Sequence, residues 1–169
     1  MVDFFKQFLA DLHAAAPPDA TGWDAAASAL DHALQAYPGH RLFTILTIDW
    51  GRDENQRIYS SAPESYPCGG AKPLVPASEF YQEVILGGRA RICTDRDACQ
   101  RAFADYPLME ALGCESAVNV PIRRGGATIG SLNLLHRRGW YDHEMIFPLM
   151  LLADYASTLL VRHPFGAQA

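Results

Sequence analysis

Residues 113–144 constrain the fold of this chain more than any other segment. They read GCESAVNVPIRRGGATIGSLNLLHRRGWYDHE, in which two runs of alternating apolar side chains meet at Gly125-Gly126. A short loop and a long apolar run follow. Alternation with a period of two is typical of strands, and paired glycines are typical of a tight hairpin turn. The segment therefore predicts an antiparallel hairpin that leads into a C-terminal helix.

The parity of the side chains predicts the register of this hairpin. A two-residue loop at Gly125-Gly126 would place Asn119 opposite Leu132 and mix polar with apolar side chains on each face. A three-residue loop over 125–127 pairs Asn119 with Asn133 and leaves one face uniformly apolar. We therefore predict the three-residue loop.

The two faces of the predicted hairpin differ in chemistry. The apolar face, expected to pack on the terminal helices, carries Val118, Val120, Leu132 and Leu134. The opposite face carries Ala117, Asn119, Ser131 and Asn133. A buried amide without a partner costs about 1–3 kcal/mol, so these polar groups need water, backbone or a ligand. Partial solvation or capping of nearby loops accounts for them as well as a ligand pocket does.

The remaining segments predict an α+β fold. An opening helix carries the apolar stripe Phe4, Phe5, Phe8, Leu9 and Leu12, which could pack on the sheet or on a second subunit. The further predictions are a helix at 22–37, strands at 41–49 and 56–61, a loop at 62–76, a helix at 77–86, a strand at 90–93 and a polar helical region at 95–113. This order predicts a central antiparallel sheet of five or six strands, with N- and C-terminal helices on one face and loops and short helices over the other. We expect one domain over 1–169, with N-terminal helices in 1–38 and the core in 41–162.

Composition and charge exclude several classes of protein. Of the 169 residues, 49% are hydrophobic and 20% charged, which is typical of a globular domain. Basic residues are scattered apart from two Arg pairs, so nucleic-acid binding is not predicted. The N-terminus lacks a signal-peptide pattern, and the most apolar segment, 145–161, contains Pro148 and Asp154. We therefore expect a cytoplasmic protein without a membrane span and with four reduced cysteines.

The pattern resembles the GAF domain, a small-molecule-sensing fold related to PAS domains. The matching stretches are GCESAVNVPI, the glycine turn, IGSLNLLH, the boundary WYDHE and the helix FPLMLLADYASTLL, within residues 41–160. The resemblance implies a pocket on one sheet face, covered by 61–76 and 95–113. The candidate ligand-binding residues are Tyr59, Ser61, Tyr66, Cys68, Asn119, Ser131 and Asn133. Tyr and Asn suit a planar or amide-bearing ligand, although both tyrosines are equally typical of the edge of a core.

Three chemistries known in this family find little support in the sequence. The Asn-Lys-Phe-Asp-Glu set of cyclic-nucleotide-binding members is not found in order, and Asp105 is expected to lack suitable partners. No cysteine adjoins a histidine, as bilin attachment requires. Free methionine sulfoxide reductase uses pocket cysteines, and four cysteines keep that activity open, although the glycine-flanked context is missing around Cys93 and Cys99.

A metal site is not predicted either. Cys93 and Cys99 have five residues between them, more than the two to four typical of structural zinc. His136 and His143 flank Trp140-Tyr141, but Asp142 as a helix N-cap explains this segment better.

The expected function is that of a non-catalytic, small-molecule-binding sensory domain that acts in signal transduction through a partner protein. The first alternative is a protein-interaction or dimerisation module without a ligand. The second is a Cys-dependent enzyme resembling free methionine sulfoxide reductase. A helix-mediated homodimer agrees with the apolar stripe and the family resemblance, and packing of the stripe within the chain explains it as well. The sequence indicates no particular cofactor, ligand or partner.

Overall fold

A six-stranded antiparallel sheet forms the centre of the fold. The computed structural model describes residues 22–160 together with Lys6 and Ala10. The strands are β1 (Leu42–Asp49), β2 (Glu54–Ser60), β3 (Ala71–Pro73), β4 (Arg91–Cys93), β5 (Ser116–Arg124) and β6 (Ala127–His136). Their order is β3-β2-β1-β6-β5-β4, and each neighbouring pair is antiparallel. The predicted α+β class is confirmed.

Two long helices cover one face of this sheet. They are α1 (Trp23–Ala36) and α5 (Ile146–Leu160). Their buried positions recur at helical spacing, as in Leu30 and Leu34 of α1 and Leu149, Leu152 and Ala156 of α5. These side chains form one core with Val118, Val120, Leu132 and Leu134. Burial of each large apolar side chain contributes about 1.5–3 kcal/mol, so this layer supplies much of the stability.

Shorter segments cover the opposite face. They are the π-helical α2 (Phe80–Leu86), α3 (Arg96–Ala102) and α4 (Tyr106–Ala111). The α2 helix ends as predicted at two glycines, because Gly87 is its C-cap and Gly88 has a φ of +58°. The Asp95 carboxylate caps α3 by accepting from the Ala98 N–H at 2.8 Å. The opening helix and its stripe lie outside the described residues.

The hairpin of β5 and β6 has the predicted register but a different loop. Asn119 pairs with Asn133 and Val120 with Leu132, as predicted. The loop nevertheless contains only Gly125 and Gly126, whose φ angles of +57° and +86° suit a tight two-residue turn. Ile122 pairs with Gly130 and Arg123 with Thr128, so one residue, Ile129, is inserted in β6. The prediction of a three-residue loop is wrong, because a β-bulge supplies the odd residue.

A second bulge lies in β2. Ile45 pairs with Tyr59 but Leu46 pairs with Arg57, so Ile58 is the inserted residue. Tyr59 therefore shares the helix-covered face with Ile45, whereas Arg57 shares the other face with Leu46. The predicted loop at 62–76 also contains β3, an edge strand of three residues that pairs with 54–56. Such a short strand without apolar alternation leaves no clear pattern in the sequence.

Candidate functional site

A cavity of about 450 Å³ lies between the sheet and the segments that cover its second face. Clefts that hold small organic ligands range from about 300 to 1,000 Å³, so the size is suitable for such a molecule. The sheet contributes Thr44, Leu46, Asn55, Arg57, Asn119, Asn133 and Leu135. The covering segments contribute side chains from 66–85 and 102–109. The cavity therefore occupies the face on which a pocket was expected.

A chain of amide hydrogen bonds forms one end of the cavity. Asn119 Nδ2 donates to Asn133 Oδ1 at 2.8 Å, and Ser131 Oγ donates to the same oxygen at 3.2 Å. Asn133 Nδ2 donates to Thr44 Oγ1 and to the Ser131 carbonyl oxygen, both at 3.4 Å. Asn119 and Asn133 are 1% and 4% exposed, so these bonds are shielded from water.

The Ser131 carbonyl oxygen fixes the orientation of both amide groups in this series of hydrogen bonds. A carbonyl oxygen can only accept, so Asn133 must turn its Nδ2 toward it and its Oδ1 toward Asn119. Asn119 must then present Nδ2 to Asn133, which leaves Asn119 Oδ1 on the other side of its amide group. Among the described residues this buried oxygen has no hydrogen-bond partner. Asn119 Oδ1 is therefore a buried acceptor without a partner among the described residues, in a side chain that lines the cavity.

Charged side chains gather at the other end around Asp105. Lys72 Nζ donates to Asp105 Oδ2 at 2.6 Å, and the Tyr66 hydroxyl donates to the same oxygen. The Arg57 guanidinium lies 3.5 Å above the Tyr66 ring, with Nη2 at 3.8 Å from Asp105 Oδ2 and Nη1 donating to the Pro67 carbonyl at 2.6 Å. The expectation that Asp105 lacks partners is wrong, because its partners lie at least 33 residues away along the chain.

The electrostatics of this end follow from these contacts. Burial alone would raise the pKa of the Asp105 carboxyl, but hydrogen bonds from Lys72 and Tyr66 and the Lys72 charge hold it below its ordinary value. Burial and the hydrogen bond to Asp105 raise the pKa of Tyr66. The cluster therefore contains two cations, one carboxylate and a neutral phenol, and its net charge is positive.

Three polar atoms of this charged end also lack partners within the described chain. They are Arg57 Nε, Asp105 Oδ1 and Asn55 Oδ1. Asn55 belongs to the same end because it pairs with Lys72 across β2 and β3. With Asn119 Oδ1, four of the six buried unpaired side-chain atoms found in the described residues belong to cavity-lining residues. Unpaired buried groups are rare in folded proteins, and four of them belong to residues that line this one cavity.

Apolar side chains form the walls between the two polar ends. Leu46 and Leu135 lie on the sheet side, and Ile85, Phe103 and Met109 face them from the covering segments. The cavity is therefore amphipathic, with an apolar middle and hydrogen-bonding groups at both ends.

Four of the seven residues predicted for the site lie at or next to the cavity. Tyr66, Asn119 and Asn133 line it. Ser131 is outside the lining but is buried and donates to Asn133. The placement of these four follows from the parity of the hairpin and from the covering loop. Their role in ligand binding stays a prediction.

Tyr59, Ser61 and Cys68 lie outside the cavity lining. The Tyr59 hydroxyl donates to Asp31 Oδ2 of α1 at 2.6 Å, because the bulge at Ile58 turns its side chain to the helix-covered face. Ser61 Oγ accepts from the Phe43 N–H at 2.9 Å, and Cys68 is exposed. This corrects the expected placement of these three side chains.

Sequence reasoning missed several polar lining residues, namely Thr44, Asn55, Arg57, Lys72, Ser78 and Asp105. Asn55 and Arg57 are two residues apart in β2, but Glu54 and Gln56 are polar as well, so no alternation marks the face that carries them. Lys72 and Asp105 come from segments that carry no periodic pattern.

None of the four cysteines is among the described residues that line the cavity. Cys93, Cys99 and Cys114 are each 1% exposed and pack in a second apolar cluster that also contains the lining residues Tyr66 and Met109. Burial raises the pKa of Cys114 to about 11, and burial likewise raises the pKa of Cys68. A hydrogen bond from Cys99 lowers the pKa of Cys93.

The histidines that flank Trp140 have structural roles or surface positions. The His136 ring stacks on Trp140 with 3.9 Å between ring centroids, and His143 is exposed. Asp142 Oδ1 accepts from the Glu144 N–H at 2.9 Å, which confirms its predicted capping role. Over residues 22–160 no group of three or more His, Cys, Asp or Glu side chains is arranged to hold a metal ion. In the same part of the chain, none of the helices has the length and apolarity needed to cross a bilayer.

Comparison with known proteins places this geometry in a family. The family model of the GAF domain matches residues 24–161. The GAF domain of a phosphoenolpyruvate-protein phosphotransferase from Coxiella burnetii has a similar structure, with a TM-score of 0.73 and 14% identity over 95% of this chain and 92% of that one. Residues 122 to 287 of a methyl-accepting chemotaxis protein align with a TM-score of 0.64 and 22% identity over 83% and 89% of the two chains.

An enzyme is also among the similar structures. The type II free methionine-R-sulfoxide reductase from Thermoplasma acidophilum aligns with a TM-score of 0.59 and 14% identity, over 79% of this chain and 88% of that one. No curated protein matches the chain. The family match covers most of the sequence and agrees with the sheet, the covering segments and the similar structures. The chain therefore belongs to the GAF domain family.

Proposed function

We propose that this GAF domain is a non-catalytic sensor that binds a small molecule in the cavity and acts in signalling. The observation that carries the proposal is a cavity of about 450 Å³ whose lining combines apolar side chains with the polar side chains of Asn119, Asn133 and Lys72. A ligand that binds the folded domain there stabilises it.

A reductase activity is less consistent with the site. Reduction of a sulfoxide by a thiol requires a thiolate that reaches the substrate. Each cysteine of the chain lies outside the described cavity lining, and burial disfavours the thiolate of Cys68 and Cys114. The similarity to the Thermoplasma enzyme concerns the fold and gives no reacting cysteine at the cavity.

Output through another protein is the second part of the proposal. We infer a cytoplasmic domain that acts through a partner protein or a second copy of itself. Phe147 and Leu151, one turn apart on α5, are 72% and 46% exposed and give α5 an apolar outer face. This observation also favours the alternative function, a dimerisation or interaction module with an empty cavity.

Native mass spectrometry of protein purified from cells tests the sensor function. We expect a native mass that exceeds a whole-number multiple of the denatured chain mass by that of a small organic molecule. The Asn119→Leu variant should lose this excess, whereas Cys68→Ser, at an exposed site outside the cavity, should keep it. A bare native mass for the unmodified protein, with no ligand found by screening, would favour the interaction module.

A further inference from the structure

Two separate stretches of chain cover the cavity, and they meet at one carboxylate. We call residues 66–81 the first cover and residues 102–109 the second cover, and both contribute lining residues. Asp105 of the second cover accepts through Oδ2 from Lys72 Nζ at 2.6 Å and from the Tyr66 hydroxyl. Both donors belong to the first cover. A single oxygen atom therefore joins the two covers by two hydrogen bonds.

The first cover is fixed to the sheet. The Arg57 N–H of β2 donates to the Gly70 carbonyl at 3.1 Å, and the Arg57 guanidinium lies 3.5 Å from the centroid of the Tyr66 ring. Lys72 belongs to β3, where it pairs with Asn55 of β2. The two donors to the carboxylate therefore project from a stretch that main-chain and side-chain contacts hold in place.

The second cover is held differently along its length. Tyr106, at the start of α4, is 2% exposed and packs in the second apolar cluster. Before it, Phe103 is half-buried and Ala104 is exposed. The N–H groups of Phe103 and Tyr106 donate to the carbonyls of Cys99 and Phe103, so these bonds are local and do not reach the sheet. The Asp105 carboxylate is thus the polar contact that fixes this part of the second cover to the first.

Partly exposed lining residues lie on both sides of this contact. In the first cover, Leu74 is half-buried and Val75 is 52% exposed. In the second cover, the lining residues Phe103 and Ala104 also reach solvent. Lining residues that contact water mark the place where a cavity meets solvent. The mouth of the cavity therefore lies between the two covers, and the width of this mouth depends on how firmly the covers are joined.

We propose that the Lys72–Asp105 pair is a latch that holds residues 102–105 against the first cover, and that its opening widens the mouth for a ligand. The Lys72 side chain is 37% exposed and that of Asp105 is 19% exposed, so water competes for this contact. A pair of this kind opens without unfolding of the sheet. The inference rests on the proposed sensor function, because the latch controls access to the cavity proposed to bind the ligand.

Hydrogen–deuterium exchange followed by mass spectrometry tests the latch in the Lys72→Met variant. Methionine keeps much of the length of the lysine side chain but cannot pair with a carboxylate. We expect the amide hydrogens of residues 102–106 to exchange about two- to fivefold faster, the range that a partly exposed ion pair supplies. Lys72 is 33 residues away from Asp105 along the chain, so a local effect of the substitution on its own segment would not produce this result. Exchange in β1 and β6 should stay unchanged.

Glu79→Gln is the matched control. Glu79 also belongs to the first cover and forms an ion pair of the same length, 2.6 Å, with Arg91. Arg91 lies in β4, so this pair does not join the two covers. The control variant loses a charge and an ion pair and should keep the slow exchange of residues 102–106.

Stopped-flow fluorescence with the dye N-phenyl-1-naphthylamine tests the role of the latch in entry. The dye is apolar and uncharged, so the loss of the Lys72 charge does not act on it directly. We expect its association rate constant to be about two- to fivefold higher for Lys72→Met than for the unmodified protein or Glu79→Gln.

The outcomes separate the latch from the sensor function. Equal exchange of residues 102–106 in Lys72→Met and in the unmodified protein would overturn the latch, even if native mass spectrometry finds a retained ligand. Faster exchange in β1 and β6 as well would show general destabilisation and would also overturn it. Faster local exchange without faster dye entry would overturn its role in entry. A bare native mass would count against the sensor function alone.

Discussion

Asn119 and Asn133 pair with each other, yet substitution should affect them differently. Asn133 Oδ1 accepts from two donors, Asn119 Nδ2 and Ser131 Oγ, whereas Asn119 makes one bond and has a free acceptor. Asn119→Leu should therefore change the free energy of unfolding by at most about 1 kcal/mol while binding is lost. Asn133→Leu leaves two buried donors without their shared acceptor, at about 1–3 kcal/mol each.

Urea denaturation of both variants beside Cys68→Ser checks this prediction. We expect the order of stability Cys68→Ser, Asn119→Leu, Asn133→Leu, with the last clearly separated from the others. Equal destabilisation of the two Asn variants would contradict the hydrogen-bond direction assigned to the amide chain.

The residues of the amide end could be predicted from the sequence, whereas at the charged end only Tyr66 was predicted. Asn119 and Asn133 lie in strands of strict alternation, where parity assigns each side chain to a face. Lys72 and Asp105 meet at 2.6 Å although 33 residues separate them, and both come from segments without a period. Only the three-dimensional arrangement of β3 and the segment before α4 brings them together.

At the level of elements, two β-bulges decide which side chains face the cavity. The hairpin register was predictable because only one pairing buries a uniformly apolar face. The loop length was not, because an inserted residue in β6 restores the same parity as a longer loop would. The bulge at Ile58 left no comparable signal, and the expected placement of Tyr59 was wrong for that reason.

Gly130 of β6 lies close to the main chain of β1 and to a side chain of α5. A Cβ atom at this position would clash with the Leu46 carbonyl oxygen and would lie 2.9 Å from Leu160 Cδ1. Because a backbone atom would have to move, Gly130→Ala should destabilise the protein by about 1–3 kcal/mol. Gly51→Ala is the matched control, since the added atom would meet only the Asp49 side chain at 3.3 Å. Both variants are compared by thermal denaturation. Equal decreases in Tm for the two variants would contradict the close contact of Gly130 with the Leu46 carbonyl oxygen.

At the scale of the whole molecule, the sheet separates a face covered by two long helices from a face that carries the cavity. The α+β class and the helices on one face of the sheet were predictable, because α1, α5 and the β5–β6 hairpin all carry strong periodic patterns. Packing within the domain does not account for the outer surface of α5, where the apolar side chains of Phe147 and Leu151 are exposed. We infer that this surface contacts a second copy of the chain or a partner protein.

Light scattering of a double variant, Phe147→Ser with Leu151→Ser, tests this use of α5. We expect a homodimer for the unmodified protein and a monomer for the double variant. Leu108→Ser, which removes an apolar side chain with 51% exposure from α4, should leave the dimer intact. A monomeric unmodified protein, or a double variant that remains dimeric, would show that α5 does not form the dimer contact.

Alternation along β6 places cavity-lining and core side chains next to each other in the chain. Asn133 belongs to the cavity, while Leu132 and Leu134, its neighbours along the chain, pack with α5 in the core. Cavity-lining and core side chains are thus consecutive residues of one strand. If the proposed ligand rotates β6, both sets of side chains must move together, because a single peptide bond joins them.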